Sequence, residues 1–330
     1  MTRLSVVMAV FNGERYLREA IDSILQQEFT EFEFIIVNDG STDGTGAIVR
    51  SYSDQRIRYL ENPRNTGLTN SLNQGLAHAQ GSYVARMDAD DISLPGRLKK
   101  QVAFLDEHPE IGVLGCAARL IDEEGTPSQL VMFPKESGFL RWRLFFENPI
   151  IHPSAVVREE PLRRIGGFDS NLKFSQDYDL WHRLGHVTHL SNLQEVLLYL
   201  RKHERSVTNL RLQEQRRSGI ATNSRMISKA LGREVSPELV ELLWSAHLKT
   251  PDEARRVAEL IQALCFATTR VRELSGTERR LIKKDAARRI LALRDLQDGR
   301  GSARQVFRWA FRVDPLTACR GLQGLLRGAS

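Results

Sequence analysis

The chain has 330 residues, with 47 Lys plus Arg against 41 Asp plus Glu and a formal net charge of +6. Hydrophobic residues at 41% and charged ones at 27% are ordinary for a globular protein, which excludes global disorder and collagen-like repeats. No stretch approaches the roughly 18 apolar residues of a membrane span, and the three separated cysteines, Cys116, Cys265 and Cys319, form neither a disulfide framework nor a zinc site. A cytoplasmic location is expected from this cysteine usage and from an N-terminus that runs straight into LSVVMAVF without the zones of a secretory signal. The charge is unevenly placed: residues 201–330 hold 27 basic against 14 acidic side chains, a net +13, and the first 200 hold 20 against 27, a net −7. An acidic front and a basic back suggest separate jobs, with the back turned toward something anionic or simply solvated.

Residues 4–11 form a nearly continuous apolar run, the pattern of a strand buried on both faces. A helix is predicted over 14–27, with Tyr16, Leu17, Ala20, Ile21, Ile24 and Leu25 on one stripe. A second buried strand over 32–37 ends in the turn-rich NDGSTDGTG, and a short helix over 47–52 leads to a third strand over 57–60. A helix over 68–79, a strand over 83–87, a helix over 95–108 with Pro95 near its first turn, and a strand or strand pair over 111–121 continue the alternation. This order predicts an α/β domain with a mostly parallel sheet, flanking helices on both faces, and ligands beyond the carboxyl ends of the strands. Residues 126–203 mix their signals, with a turn at Gly166-Gly167 and a helix over 177–184, and from about 210 the pattern is helical only. One domain over 1–207 followed by a basic helical region over 208–330 is the expected organisation.

Four polar clusters stand out. The first is Ala9-Val10-Phe11-Asn12 with Glu14, at the end of the first strand. At the end of the second, in Asn38-Asp39-Gly40-Ser41-Thr42-Asp43, Asp39 can accept a hydrogen bond from a base or ribose, or these residues serve a turn and a helix cap. The third is Met87-Asp88-Ala89-Asp90-Asp91, whose carboxylates repel one another unless a cation or solvent offsets them. Hard oxygen donors of this kind suit Mg²⁺ or Mn²⁺ sharing a site with phosphates. In the fourth, Gln176-Asp177-Tyr178-Asp179, Asp177 is a helix cap or a general base, and Asp179 faces elsewhere on a helix.

The ordered segments AVFNGERYLREAIDSILQQ, FEFIIVNDGSTDGT, NTGLTNSLNQGLAHAQGSYVARMDADD, LPGRLKKQ, GGFD, QDYDLWHRL and LRKHERSVTN resemble family 2 glycosyltransferases of the GT-A fold, over roughly residues 3–209. The resemblance implies transfer of a sugar from a nucleotide-diphosphate donor, a UDP-sugar first, to a hydroxyl of a glycan or lipid-linked acceptor. It implies inversion at the anomeric carbon and a role in surface polysaccharide or lipopolysaccharide biosynthesis, with a nucleotide-sugar-binding half over 1–122 and an acceptor half over 123–207. On this likeness Asp39 hydrogen-bonds the donor's base, Ala9 and Phe11 line that pocket, and Glu14 is a further donor-binding residue. Asp88 and Asp90 form a DxD motif, with Asp90 the first metal ligand, Asp88 nearer the ribose and Asp91 the third carboxylate. His203 reaches the metal or the diphosphate. Mg²⁺ or Mn²⁺ then neutralises the leaving group, and Asp177 deprotonates the acceptor hydroxyl, with His152 and Gln176 on the acceptor side. The chain departs from the usual pattern at Ala9, where Pro is common, at Asn38, where a paired Asp is common, and at Gln176, where an acid is common. A neutral Gln176 removes a like-charge repulsion, so Asp177 should ionise more easily than in a Glu-Asp pair.

Residues 302–314 are expected to form a helix with Arg304, Arg308 and Arg312 on one side and Val306, Trp309, Ala310 and Val313 on the other, widened by Phe307 and Phe311. That pattern fits a peripheral helix on an anionic membrane surface at the inner face of the cytoplasmic membrane; equally, the apolar arc can pack on the catalytic domain or on a second subunit in an oligomer. No nucleic-acid module accompanies the charge, so nucleic acid is not an expected partner. A dinucleotide dehydrogenase is excluded because GxGxxG is missing after the first strand. The remaining alternative, a non-catalytic nucleotide-sugar-binding or scaffold protein of a polysaccharide assembly complex, is disfavoured by the carboxylate triplet and Asp177.

Overall fold

The strands β1 (Leu4–Val10), β2 (Phe32–Asn38), β3 (Ile57–Glu61) and β4 (Tyr83–Arg86) are joined by helices α1 (Leu17–Leu25), α2 (Thr45–Arg50) and α3 (Leu68–His78). The computed structural model describes residues 2–203, 212–245, 248–293 and 300–320. All of β1 is buried, as its unbroken apolar run requires. On α1 the striped residues Leu17, Ala20, Ile21 and Ile24 are fully buried. This helix starts later than residue 14 because the preceding turn is tied to the β2–α2 loop: Gly13 N donates to Thr45 Oγ1 at 2.9 Å and Glu14 N to Asp43 Oδ2 at 3.1 Å.

Beyond β4 come β5 (Ile92–Ser93), α4 (Arg97–Glu107), β6 (Ile111–Ile121), β7 (Pro127–Val131), α5 (Ser137–Arg143), β8 (Val156–Arg158), α6 (Glu159–Arg164), α7 (Gln176–Leu184) and β9 (His189–Arg201). The sheet order is β3-β2-β1-β4-β8-β6-β9-β5, with β7 on the flank of β6. β1 lies between β2 and β4 and parallel to both, so the chain leaves it on one side and returns on the other. The carboxyl ends at that switch open a crevice where ligands of such sheets bind. β8 enters antiparallel between β4 and β6, and β5 pairs antiparallel with the end of β9. These strands have three and two residues, too short for a periodicity to be read from sequence. Most strands of the sheet run one way and helices flank it, as the alternating sequence pattern predicts.

The chain packs as two compact units, Met1–Leu140 with Asn148–Ser218, and Arg141–Glu147 with Gly219–Ser330. The second is helical, with α8 (Leu212–Leu231), α9 (Pro237–Ser245), α10 (Pro251–Thr269), α11 (Gly276–Ala292) and α12 (Arg300–Val313) among its elements. Capping boxes start α10 (Thr250 with Glu253) and α11 (Ser275 with Glu278). Residues 141–147 belong here because Trp142 is fully buried and donates Nε1 to Asp285 Oδ2 at 2.7 Å. The basic helix expected over 302–314 is α12, and its apolar arc packs inside this unit. Val306, Trp309 and Ala310 are buried, and Gln262 of α10 donates to the Trp309 carbonyl at 2.8 Å. Arg308, Phe311 and Arg312 face outward; the Arg304 side chain lies outside the described residues. Among the described residues no helix is long and apolar enough to cross a membrane.

Candidate active site

At the end of β2 the chain must turn sharply. Gly40 has φ +71°, and a Cβ there would lie 2.5 Å from the Arg64 carbonyl carbon, so a side chain has no room. Asp39 N donates to the Val10 carbonyl at 2.8 Å, which sets the carboxylate beside the end of β1. Asp39 is buried, and its Oδ1 accepts from Asn62 Nδ2 (2.9 Å), Thr66 N (2.9 Å) and Thr66 Oγ1 (2.8 Å), while Oδ2 accepts from Gly67 N (2.8 Å). Burial pushes this carboxyl up, but the donors from Asn62, Thr66 and Ser71 outweigh it and hold the group below the usual carboxylate range. Oδ1 is saturated; Oδ2 keeps an acceptor position for a ligand N–H.

Ala9 is nearly buried in β1, and Phe11, 48% exposed, stands just past the strand's end. Asn38 donates to Tyr59 Oη at 2.8 Å and accepts from Ser41 N at 3.0 Å, so it builds the turn. Glu14 Oε2 accepts from Gly44 N at 2.7 Å. With the bond from Glu14 N to Asp43, this makes Glu14 half of a clasp between the loops after β1 and β2.

β4 delivers Asp88, Asp90 and Asp91, from which one carboxylate oxygen each lies within 4.8 Å of the others. Asp88 ion-pairs with Arg86, a buried cation in an otherwise apolar strand. Asp90 Oδ2 meets His203 Nε2 at 2.9 Å. Asp91 is almost wholly buried; its Oδ1 accepts from the Arg201 backbone N at 2.9 Å and its Oδ2 has no partner. Burial, then the charges of Asp90 and Asp88, push Asp91 well above the usual carboxylate range. Burial also raises Asp88, against the opposing Arg86. A buried carboxylate oxygen without a donor is costly, and a hard divalent cation relieves both the orphaned Oδ2 and the mutual repulsion. The residues therefore fit Mg²⁺ or Mn²⁺, with Asp90 and Asp91 offering the oxygens, Asp88 beside them, and His203 within reach of the same centre.

His203 is 113 residues from Asp90 in sequence. The short pairing of β5 with β9, Ile92 opposite Tyr199, brings it there. Arg201, two residues earlier, is 5% exposed and was not singled out from the sequence, although it opens the RKH triplet that pointed to His203. Its Nε donates to the Asp90 carbonyl at 2.9 Å.

Asp177 lies in the first turn of α7, after Ser175 at φ +57°. Its Oδ2 accepts from Asn148 Nδ2 at 2.7 Å. Burial raises its pKa above the usual value despite that bond and the backbone donors, and the charge of Asp88 adds to the rise. A raised carboxyl suits a base that must take a proton near neutrality. Asp179 turns away and pairs with Arg183 Nε at 2.7 Å. Gln176 is buried at the same helix start. His152 packs edge-on against Phe168 and Trp181, with ring centroids at 5.6 and 6.0 Å, and its Nε2 is buried without a partner. Burial, then the Arg86 cation, push it well below the usual histidine value. Asn73 of α3 clamps the GGFD loop from both directions, accepting from Phe168 N at 3.0 Å and donating to its carbonyl at 2.8 Å.

A family model described as Glycosyl transferase family 2 matches residues 5–166. Over 207 residues the chain is 37% identical to EpsE of Bacillus subtilis (strain 168), named as a glycosyltransferase, across 61% of this chain and 73% of that protein. It is 31% identical over 202 residues to the amylovoran biosynthesis glycosyltransferase AmsE of Erwinia amylovora, across 60% of this chain and 75% of that one. Among solved structures, S. aureus TarS 1–349 in complex with UDP-GlcNAc aligns at a TM-score of 0.60 and 20% identity, covering 92% of this chain and 90% of that one. The mannosyltransferase PcManGT from Pyrobaculum calidifontis, in complex with GDP-Man and Mn²⁺, aligns at 0.53 and 19% identity, covering 96% and 86%. At these identities the structural likeness carries the fold alone.

Proposed function

The chain belongs to glycosyl transferase family 2, and from that premise we propose that it moves a glycosyl group from a nucleotide-diphosphate sugar to an acceptor hydroxyl, inverting the anomeric centre. The observation that carries this reading is the buried, unpartnered Asp91 Oδ2 inside the carboxylate cluster, at the same sheet edge as the donor-rich Asp39. Asp39 Oδ2 accepts an N–H from the base, next to Phe11. Asp90, Asp91 and Asp88 would hold Mg²⁺ or Mn²⁺, with His203 against Asp90, and a bound ion would supply positive charge opposite the diphosphate. Asp177 takes the proton of the acceptor hydroxyl as its oxygen bonds to the anomeric carbon. The bond from that carbon to the diphosphate oxygen breaks on the opposite face, and its electron pair leaves with the nucleotide. A UDP-sugar is the first donor to test, since Asp39 offers the acceptor that uracil needs; UDP-GlcNAc in TarS supports that choice, and GDP-Man in PcManGT makes guanine the second. The name of AmsE supports a polysaccharide pathway, with a glycan or lipid-linked acceptor. The outward Arg308, Phe311 and Arg312 of α12 favour contact with an anionic lipid surface.

The test is calorimetry with UDP, GDP, dTDP and CMP sugars, each with and without Mn²⁺, on the wild-type chain and on Asp90→Ala. One nucleotide class is expected to bind with metal and to lose that dependence in the variant. If no nucleotide sugar binds in the presence of metal, the donor assignment is wrong.

A further inference from the structure

A buried arginine distant in sequence, Arg201, contacts the carboxylate cluster through both its backbone and its side chain. Arg201 directs its backbone N to Asp91 Oδ1 (2.9 Å) and its Nε to the Asp90 carbonyl (2.9 Å). Its Nη1 donates to the carbonyls of Asp122 and Glu123, at 3.1 Å each, in the turn between β6 and β7. Its Nη2 pairs with Glu19 of α1, and the guanidinium lies 4.5 Å from the centre of the Tyr16 ring. Tyr16 in turn packs on His203, with ring centroids 5.2 Å apart. A guanidinium has five N–H donors in a fixed planar fork. Four of the five are engaged here, on three separate elements.

The consequence for Asp91 is directional. With Oδ1 bound to the Arg201 amide, rotation of the carboxylate is blocked and Oδ2 is the oxygen left for another ligand. The bond to the Asp90 carbonyl fixes the backbone between the two acids, and the same strand end carries His203 to Asp90. We propose that Arg201 is the positioning residue of the cation site: its backbone N fixes Asp91, and its guanidinium fork ties the Asp90 backbone to the β6–β7 turn and to α1, two residues before His203. This inference rests on the metal reading given above. Outer-shell partners of metal ligands typically contribute about 10–100-fold in metal affinity. A lysine keeps the charge but not the planar fork, so it cannot bridge Asp90, the β6–β7 turn and Glu19 together.

The test is Mn²⁺ binding, followed by electron paramagnetic resonance of the free ion, on the wild-type chain, Arg201→Lys and Glu19→Gln, with circular dichroism as the check on folding. Glu19 lies at the half-exposed end of the network, so its variant leaves the core intact. Arg201→Lys should weaken Mn²⁺ binding about 10–100-fold, and Glu19→Gln should weaken it by a smaller factor in the same direction, with the circular dichroism spectrum unchanged. Wild-type affinity in both variants overturns the positioning role while leaving the metal reading standing. No Mn²⁺ binding by the wild-type chain overturns the metal reading and this inference with it.

Discussion

Two carboxylate sites, at the ends of the strands on either side of β1, have opposite electrostatics. Asp39, after β2, receives four hydrogen bonds from neutral donors and is held below the usual carboxylate range. Asp91, after β4, receives one bond from a backbone amide, faces two like charges and is pushed well above that range. Both are buried, so burial alone does not separate them; the number of donors and the charge of the neighbours do. The fold has supplied everything that Asp39 needs and has left Asp91 short of positive charge. A site of the first kind suits a neutral ligand through a remaining lone pair, and one of the second kind suits a cation. Asp177 lies between the two, with one side-chain donor, Asn148, and a raised value.

The sharpest way to break this comparison is at the cation side. Asp90→Ala is expected to lower kcat/KM about 10³-fold, a loss of several kcal/mol of transition-state stabilisation. The melting temperature of the metal-free chain should not fall, because a like charge has been removed; a clear drop would mean that the cluster is structural. Next in size, Asp177→Asn should cost about 10²–10⁴-fold in kcat. Because Asp177 must be ionised to act and its pKa is raised, activity should climb with pH through a limb above the ordinary carboxylate value. Asn148→Ala removes a bond to the charged form and should carry that limb to still higher pH in kcat/KM profiles. On the Asp39 side the largest effect is expected on stability. Asp39→Asn leaves backbone donors of Thr66 or Gly67 facing an amide, at a cost of about 2–3 kcal/mol by denaturant unfolding. Asp39 has a lowered folded pKa, so its contribution is complete above the unfolded value and is lost as pH falls through the folded one. The variant should flatten that acid limb of the stability curve. The smallest expected effect is at the clasp: Glu14→Ala should cost about 1 kcal/mol of stability if its role is the clasp alone, and a large loss of kcat/KM would show that it also binds the donor.

Local pattern made the strand–helix alternation readable, since a strand buried on both faces and a striped helix each leave a period in the sequence. The same holds for Asp39, Asp88, Asp90, Asp91 and Asp177, each within a short segment at a strand end or helix start. Other features were unreadable for identifiable reasons. β8 and β5 are shorter than any period. The partners of Arg201 could not be read from sequence, because most of them, such as Glu19 and the Asp122 carbonyl, come from elements distant along the chain. Asn148 stood in a quoted segment, but its bond to Asp177 spans 29 residues.

By itself, then, the sequence determined that this is an α/β chain of family 2 type with acidic groups at the ligand edge of its sheet and a basic helical region after it. Only the tertiary structure decided which oxygen of Asp39 and of Asp91 is left for a ligand, that His203 stands against Asp90, that His152 packs against Phe168 and Trp181, and that the apolar arc of α12 is largely buried within its own unit. The physical reason is that periodicity reports which face of an element is apolar. Hydrogen-bond donors and neighbouring charges come from whichever element lies alongside, and that is set by strand order.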